Sequence, residues 1–253
     1  MAQVYKGTLK QPRTLGEKIV QSFIDFVEEV NARFSVHGNP PVYDVNLFPW
    51  AKNLENYWQV IRKELDTVLA YKDQLPAFHE ITPEVKTITQ DRQWKTFMFC
   101  GYGRWSESNC RQCPETTRLL REIPGIKTAF FSILEPGKYI PPHRGPYNGV
   151  LRLHLGLIVP KEREKCWIRV HDQKLYWEEG KVMIFDDCFE HEVHNDTQEL
   201  RVVLFVDFVR PAYFPANLLN WIVLNMAYFS PYITEAEQNQ KNWEKQFYAK
   251  IKT

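Results

Sequence analysis

The spacing of apolar residues changes from helical to extended about halfway along the chain. In residues 15–34 apolar side chains recur every three or four positions with charged residues between them, which predicts an amphipathic helix packed on the core. Residues 53–70 show the same spacing, and we expect a second helix there with Asn53 as its N-cap. A short helix is predicted over 114–121, where proline can open the first turn, after a loop over 109–114.

From residue 127 onward apolar and polar residues alternate with a period of two, which is typical of β-strands. Turn-forming residues separate these short segments, and the pattern favours a sandwich or a jelly roll. One earlier strand is expected over 94–102. The later strands are expected over 128–134, 150–159, 166–171, 175–177, 181–185, 191–194 and 201–208.

The C-terminal region follows neither pattern. Residues 218–229 are apolar on almost every side, yet they are too few to cross a bilayer. They predict either a buried helix or a helix that docks on a membrane or a partner. Residues 235–250 are polar and charged and predict a solvent-exposed terminal helix. We therefore expect one compact unit with a helical region at 1–90, a mainly β core with packing helices at 91–211, and a helical tail at 212–253.

Composition and charge narrow the class of protein. The chain has 253 residues, 44% hydrophobic and 14% aromatic, which suits one large core and excludes a disordered chain. A formal net charge of +1 gives no indication of nucleic-acid binding, so no nucleic-acid partner is expected. We recognise no secretory signal and no membrane span. A cytoplasmic location is therefore expected, with at most peripheral contact with a membrane.

The five cysteines are an odd number, which does not suit a disulfide framework. Cys110 and Cys113 form a lone Cys-x-x-Cys pair without a second pair at zinc-finger spacing. The favoured interpretation is free thiols in a reducing compartment, and a structural zinc site is the alternative.

Candidate chemistry is concentrated in residues 131–209. Arg152 and His154 share one face of their predicted strand, which is either solvent-exposed or lines a barrel interior. His143 and His191 lie 48 residues apart on separate β-type segments, and two imidazoles meeting across a barrel mouth suit a first-row transition metal. Arg201 begins the next strand, where a guanidinium can bind a carboxylate through two parallel hydrogen bonds. Iron(II), two histidines and a buried arginine together describe an oxygenase that uses 2-oxoglutarate.

Six short segments in this stretch form a joint pattern. They are Ser-Ile-Leu-Glu-Pro-Gly at 132–137, His-Arg-Gly-Pro at 143–146, Leu-Arg-Leu-His-Leu-Gly-Leu-Ile-Val-Pro at 151–160, Trp-Glu-Glu-Gly-Lys-Val-Met-Ile-Phe-Asp-Asp at 177–187, Phe-Glu-His-Glu-Val at 189–193 and Arg-Val-Val-Leu-Phe-Val-Asp at 201–207. Taken together, over roughly residues 94–211, they resemble the aspartyl/asparaginyl β-hydroxylase family of iron(II)/2-oxoglutarate-dependent dioxygenases.

The resemblance implies a double-stranded β-helix core, the jelly-roll or cupin-like fold, with helices packed outside. It implies that His143 and His191 bind iron(II), and that Arg201 binds the distal carboxylate of 2-oxoglutarate. Further residues implied at the 2-oxoglutarate site are Ser132, His154 and Arg152. Residues expected at the substrate pocket are Arg152, Arg144, Val150, Trp94 and Arg104.

Gly145 stands where most enzymes of this chemistry have a third, carboxylate ligand. Glycine offers no side chain, so water is expected in that position, and chloride, as in halogenases, is the alternative. His194 is the alternative metal ligand, although three residues after His191 on a strand it should face the other way. Asp186 and Asp187 are interpreted as turn residues, with a carboxylate ligand as the alternative.

The expected reaction uses O₂ and 2-oxoglutarate to hydroxylate an unactivated C–H bond. The main hypothesis for the substrate is a peptide or an amino acid. The alternative is an acyl-lipid hydroxylase, similar to the lipid A-modifying relatives, at a membrane surface contacted through 213–233. Val150 supports the alternative, because the animal enzymes have a substrate-binding arginine at that position. A halogenase and a non-catalytic jelly-roll binding or sensor module are further alternatives.

Overall fold

The computed structural model of the protein describes residues 14–251. Expectations for the first 13 residues, including the absence of a secretory signal, lie outside that range. The helices cover α1 Leu15–Phe34, α2 Ala51–Asn56, α3 Trp58–Leu69, α4 Phe78–Ile81, α5 Glu107–Gln112, α6 Pro114–Arg121, α7 Ala216–Tyr228 and α8 Pro231–Ile251. The strands cover β1 Val42–Tyr43, β2 Trp94–Gly101, β3 Arg104–Trp105, β4 Ile126–Leu134, β5 Tyr139–His143, β6 Val150–Ile158, β7 Cys166–Val170, β8 Gln173–Tyr176, β9 Val182–Phe185, β10 His191–Asn195 and β11 Arg201–Val209.

Two antiparallel sheets form a jelly roll, as expected. The larger sheet has the order β1-β9-β6-β11-β4-β2-β3, and the smaller has the order β5-β10-β7-β8. Apolar side chains of both sheets, including Phe130 and Phe205 from the larger and Ile140 and Ile168 from the smaller, form one buried cluster. The candidate site residues lie around this cluster, so the space between the sheets positions the site.

The outer face of the larger sheet forms a second buried cluster with the helices. Leu151, Leu153, Leu155 and Leu157 of β6 all belong to it, together with Ile61 of α3. His154 lies on the other face, as strand alternation predicted. The polar face of β6 therefore lines the interior, and the solvent-exposed alternative is wrong for His154, which is 5% exposed.

Three local predictions were wrong, each for an identifiable reason. The single helix over 53–70 is two helices, because Tyr57 leaves the helical conformation and Asn53 lies inside α2 instead of capping it. The predicted loop over 109–114 overlaps α5, which Ser106 caps by accepting from the Asn109 N–H. Strand β5, which carries His143, was missing from the expected strands, and its two prolines are tolerated because it is an edge strand.

The C-terminal helices also differ from expectation. Only one side of α7 is buried, while Leu218 and Trp221 are 49% and 63% exposed, so the buried-helix alternative is wrong. α8 is more buried than predicted, because Trp243 and Phe247 share a face and pack on the core. In α1 the core contact comes from Val27 and Asn31, while the apolar side chains nearer its start are exposed. Within the described part of the chain, every helix is too short or too polar to cross a bilayer.

Candidate active site

The two histidines expected to bind metal lie side by side in the smaller sheet. His143 ends β5, His191 begins β10, and the two are directly paired in register. Directly opposed residues in antiparallel strands project to the same face of a sheet. Their rings lie 4.1 Å apart between centroids, and both side chains are buried. Strand pairing thus brings together two imidazoles that are far apart in sequence.

Both imidazoles are held in a tautomer that leaves Nε2 able to bind a metal. Nδ1 of His143 lies 2.8 Å from the carbonyl oxygen of Pro141, and Nδ1 of His191 lies 3.0 Å from that of Phe189. Because a carbonyl oxygen only accepts, each Nδ1 carries the proton and each Nε2 keeps its lone pair. Burial lowers the pKa of His143 to about 4 and the pKa of His191 well below its usual value. Both rings are therefore neutral at neutral pH, which is the form that can bind a metal.

His194 lies away from this pair. Its ring stacks on Trp167 at 4.0 Å between centroids, and its nitrogens lie near the carboxylates of Glu192 and Asp196. The side chain is partly exposed. The structure therefore does not bring the alternative ligand to the histidine pair.

Arg201 is a buried guanidinium that forms no ion pair with the described residues. Its side chain is 2% exposed, its Nε has no hydrogen-bond partner, and its Nη1 donates weakly to Ser132 Oγ at 3.5 Å. The guanidinium lies 4.5 Å over the ring of Trp177, to which the sequence reasoning assigned no role although it lies within the joint pattern. Burial lowers the pKa of Arg201 to about 10. An unpaired buried charge is costly, so this pocket suits an anionic ligand.

His154 and Ser132 add hydrogen-bond donors near Arg201. His154 Nδ1 accepts from Trp177 Nε1 at 3.4 Å, so the ring proton is on Nε2, which is buried without a partner. Ser132 Oγ accepts from Trp94 Nε1 at 3.0 Å and from Arg201, which leaves its own proton free to donate. Burial and the nearby arginines hold the pKa of His154 well below its usual value. A ligand rich in acceptors would satisfy all three groups.

Arg152 differs from Arg201 because it is already neutralised. It forms ion pairs with Asp187 at 2.8 Å and Asp207 at 2.9 Å, and it lies over the Phe205 ring at 4.2 Å. Arg152 therefore lies in the interior, as expected, but its charge is already paired with the carboxylates of Asp187 and Asp207. It is close enough to both histidines of the pair to disfavour their protonation.

The interpretation of Asp186 and Asp187 as turn residues understates their role. Both are buried, Asp186 pairs with Arg210, and Asp187 pairs with Arg152. Burial raises the pKa of Asp187 to about 7, against the opposing effect of Arg152. Together with Cys188 they are the only group of three potential ligands among the described residues, so the zinc alternative at the Cys-x-x-Cys pair gains no support.

Gly145 makes room for Asp187. A Cβ atom at position 145 would overlap the carboxylate of Asp187, and the Gly145 N–H donates to the Asp187 carbonyl at 2.7 Å. Most enzymes of the expected chemistry have a carboxylate side chain at the position of Gly145. Here the Asp187 carboxylate, from the loop before β10, lies beside that position. We expect no side chain to fit there without displacing it.

The remaining expected pocket residues are divided between two places. Arg144, next to His143, is half-buried, and its buried Nε has no partner among the described residues. Val150 begins β6 and is paired with Val209. Arg104 instead binds the C-terminal helices: it pairs with Glu237 and donates to the Tyr228 carbonyl at 2.9 Å. Its charge is therefore used in holding α7 and α8.

We expect Gly145→Ala to destabilise the protein by about 1–3 kcal/mol, because the new methyl group forces the Asp187 carboxylate away from Arg152. Chemical denaturation measures this change. Gly16→Ala is the matched control, because a Cβ there meets nothing and alanine favours the helix. An equal, small effect at both positions would contradict the crowding at Gly145.

Acid should destabilise the metal-free protein. His143, His154 and His191 all have lowered pKa values, so their neutral forms stabilise the fold fully above about pH 6.5, and this contribution is lost as the pH falls towards 4. For His143 alone it is on the order of 3 kcal/mol. Asp187, Asp186 and Glu84, whose pKa values burial raises, oppose this trend as the pH falls.

Unfolding free energies measured between about pH 4.5 and 7.5 test this trend, because these groups titrate within roughly that range. His143→Gln should flatten the slope, whereas His171→Gln, at an exposed histidine, should leave it unchanged. A slope that is the same in both variants would contradict the buried neutral state of His143.

Comparisons with known proteins show which family the chain resembles. The sequence profile described as Aspartyl/Asparaginyl beta-hydroxylase matches residues 55–211. The chain is 51% identical over 232 residues to the ornithine lipid ester-linked acyl 2-hydroxylase of Rhizobium tropici, covering 92% of this chain and 83% of that protein. It is 39% identical over 169 residues to the human aspartyl/asparaginyl beta-hydroxylase, covering 65% of this chain and 21% of that protein. It is 31% identical over 224 residues to mouse aspartate beta-hydroxylase domain-containing protein 2, covering 83% of this chain and 61% of that protein.

Proposed function

The chain belongs to the aspartyl/asparaginyl β-hydroxylase family, and from that premise we propose that it is an iron(II)- and 2-oxoglutarate-dependent hydroxylase of a lipid acyl chain. Its relatives support a hydroxylase. Arg201 is the observation that carries the cofactor part of the proposal. It is a buried cation without an acidic partner among residues 14–251, and it shares the interior with two neutral, paired histidines.

The residues present fit an iron(II) ion. His143 and His191 would hold it through their Nε2 atoms, and their backbone-bonded Nδ1 atoms orient the rings. When bound, the metal would supply the activation of O₂ that lets a C–H bond be hydroxylated. The Asp187 side chain already occupies the space beside Gly145, which argues against the chloride alternative.

The co-substrate would be held by buried donors that still have hydrogen-bonding capacity to spare among the described residues. Arg201 would bind the distal carboxylate of 2-oxoglutarate, and Ser132 would donate its free proton to it. The rings of Trp177 and Trp94 keep these two groups in place, by stacking on the guanidinium and by donating to the hydroxyl. His154 would donate through Nε2 to a further oxygen of the same ligand.

In the proposed reaction one substrate C–H bond becomes C–OH, and 2-oxoglutarate becomes succinate and carbon dioxide. One atom of O₂ enters each of the two organic products. The aromatic cluster that includes Phe130, Phe185 and Phe205 surrounds this space and excludes water from it. The protein's own contribution is therefore to bind, orient and desolvate the reactants.

An acyl lipid is the substrate that the comparisons favour, although a peptidyl or amino-acid substrate was the main expectation from the sequence. The relative named for acyl 2-hydroxylation matches almost the whole chain, whereas the human aspartyl/asparaginyl beta-hydroxylase matches a smaller part at lower identity. The exposed apolar surface of α7 supports the same choice. A cytoplasmic location at the membrane stays a prediction.

A substrate comparison tests the proposal. The protein would be incubated with iron(II), 2-oxoglutarate and either an ester-linked acyl amino lipid or a peptide that contains aspartate and asparagine. We expect succinate release to be stimulated by the lipid, with a hydroxylated acyl chain seen by mass spectrometry. Hydroxylation of the peptide with an unchanged lipid would restore the peptidyl hypothesis.

A further inference from the structure

The segment around α7 exposes apolar and aromatic side chains without a single charged residue. No Asp, Glu, Lys or Arg occurs between Pro211 and Thr234. Within it Phe214, Trp221 and Phe229 are 73%, 63% and 77% exposed. Exposed apolar surface of this extent marks an interaction site in a soluble protein. Trp, Tyr and Phe are also the residues enriched where protein meets the membrane interface.

Helix α1 exposes a second apolar stripe. Leu15, Ile19 and Phe26 fall on one side of the helix by its periodicity, and they are 76%, 61% and 54% exposed. Val27 and Asn31 form the adjacent, buried side. The acidic side chains of Asp25 and Glu29 lie to the other side of the stripe by the same periodicity. The outward apolar face of α1 is therefore not explained by packing on the core.

The two helices form one antiparallel layer. α1 and α7 pack against each other, and the chain just after α1 bridges the chain just before α7 through Ser35 and Ala212. The Tyr213 N–H donates to the Phe34 carbonyl at 2.9 Å, which joins the end of α1 to the approach to α7. The exposed stripes of both helices consequently belong to one layer of the molecule.

A buried polar link joins this layer to the loop that follows His143. Asn31 of α1 donates to the Tyr147 hydroxyl at 3.0 Å, and that hydroxyl donates to Asn220 of α7 at 2.9 Å. Asn220 in turn donates to the Gly149 carbonyl at 2.8 Å. The loop between the metal-ligand candidate His143 and strand β6 is thus held by both helices. Whatever covers the two helices therefore lies on the elements that hold the loop after His143.

We propose that α1 and α7 form a docking face for a lipid bilayer, and that this face presents the acyl chain to the active site. The presentation step rests on the proposed function, whereas the docking itself does not. Arg33 provides charge complementarity, because it is exposed on the same side of α1 as Phe26 and forms no ion pair with the described residues. A guanidinium at the end of an apolar stripe can reach the lipid phosphates while its stem lies along the interface.

Flotation with vesicles tests the docking. The probes are vesicles of phosphatidylcholine alone and of phosphatidylcholine mixed with phosphatidylglycerol. The test variants are Leu218→Ser with Trp221→Ser on α7, and Ile19→Ser with Phe26→Ser on α1. The matched control is Leu47→Ser with Tyr176→Ser, at residues that are 41% and 42% exposed elsewhere on the surface.

The wild type and the control should float with vesicles, more strongly with the anionic mixture. Each test pair should weaken binding about tenfold or more, because two large apolar side chains no longer leave water. Unchanged thermal unfolding of the test pairs would show that the fold is intact. Both pairs should keep hydroxylation of detergent-dispersed lipid and lose it for lipid in vesicles.

The docking proposal would be overturned if the wild type floated with neither kind of vesicle, or if the test pairs floated like the control. It would also be overturned if the wild type sedimented as a dimer and the test pairs sedimented as monomers. The last would assign the face to a second copy of the chain. Flotation that depends on both helices, together with no hydroxylation of lipid in either form, would support docking and overturn the proposed substrate.

Discussion

Replacing Arg201 with methionine is expected to weaken 2-oxoglutarate binding about a hundredfold or more, because the ligand loses charge-assisted hydrogen bonds in a buried site. The same substitution should stabilise the ligand-free protein. The lowered pKa of Arg201 corresponds to on the order of 3 kcal/mol of unfavourable free energy for its charged form in the fold. Methionine has a similar length and carries no charge that must be buried.

Two measurements on Arg201→Met check this prediction. Calorimetric titration under anaerobic conditions gives the 2-oxoglutarate affinity, and chemical denaturation without ligand gives the unfolding free energy, which should rise by about 1–3 kcal/mol. Arg163→Met, at a half-exposed arginine on the surface, is the matched control and should change neither quantity appreciably. A destabilised Arg201→Met protein that still binds 2-oxoglutarate normally would show that Arg201 is structural.

His191→Ala should remove metal binding and turnover together. The loss should exceed the roughly 10–100-fold that removing an outer-shell partner costs a metal site, because a ligand itself is removed. Iron(II) and cobalt(II) titrations followed by spectroscopy measure the affinity, and succinate release measures turnover. The fold should tolerate the change, because the variant removes a neutral ring that is bonded only to a backbone carbonyl.

His194→Ala is the control for this prediction on the same strand. His194 stacks on Trp167 on the opposite side of β10, so its removal should leave the metal affinity unchanged and lower stability slightly. Equal losses of metal affinity in the two variants would contradict the assignment of His191. A normal affinity in His191→Ala would refute it outright.

Much of the β core could be predicted from the sequence, because alternation reports directly which face of a strand is buried. β6 is an example: its leucines and its His154 face opposite sides, as their positions require. The pairing of His143 with His191 could not be derived in this way. It depends on which strands are neighbours, and the two prolines of β5 conceal the strand that carries His143.

The different roles of the two interior arginines were also beyond the sequence. Arg201 is the first residue of β11, and Arg152 lies near the start of β6. Both were expected at the co-substrate site. Only the fold brings Asp187 and Asp207 to Arg152, and it places no acid from the described part of the chain beside Arg201. Because Asp187 reaches Arg152 from a separate loop, no spacing in the sequence predicts this pairing.

The exposure of α1 and α7 illustrates a limit of a different kind. An apolar helix has the same sequence pattern whether its face packs on protein or on lipid. The periodicity of α1 therefore predicted contact with the core, whereas the structure leaves Leu15 and Ile19 exposed. The uncharged segment around α7 left both alternatives open, and the exposure of Trp221 decides against burial in the protein.

Isotope tracing can show whether the protein couples the oxidation of 2-oxoglutarate to the hydroxylation of an acyl lipid. The protein would be incubated with iron(II), 2-oxoglutarate, oxygen-18 gas and vesicles that contain an ester-linked acyl lipid. We predict equal amounts of succinate and hydroxylated lipid, each with an oxygen-18 atom. Hydroxylated lipid that forms without 2-oxoglutarate, or that takes its oxygen from water, would contradict the account, as would the absence of any product in the presence of all four components.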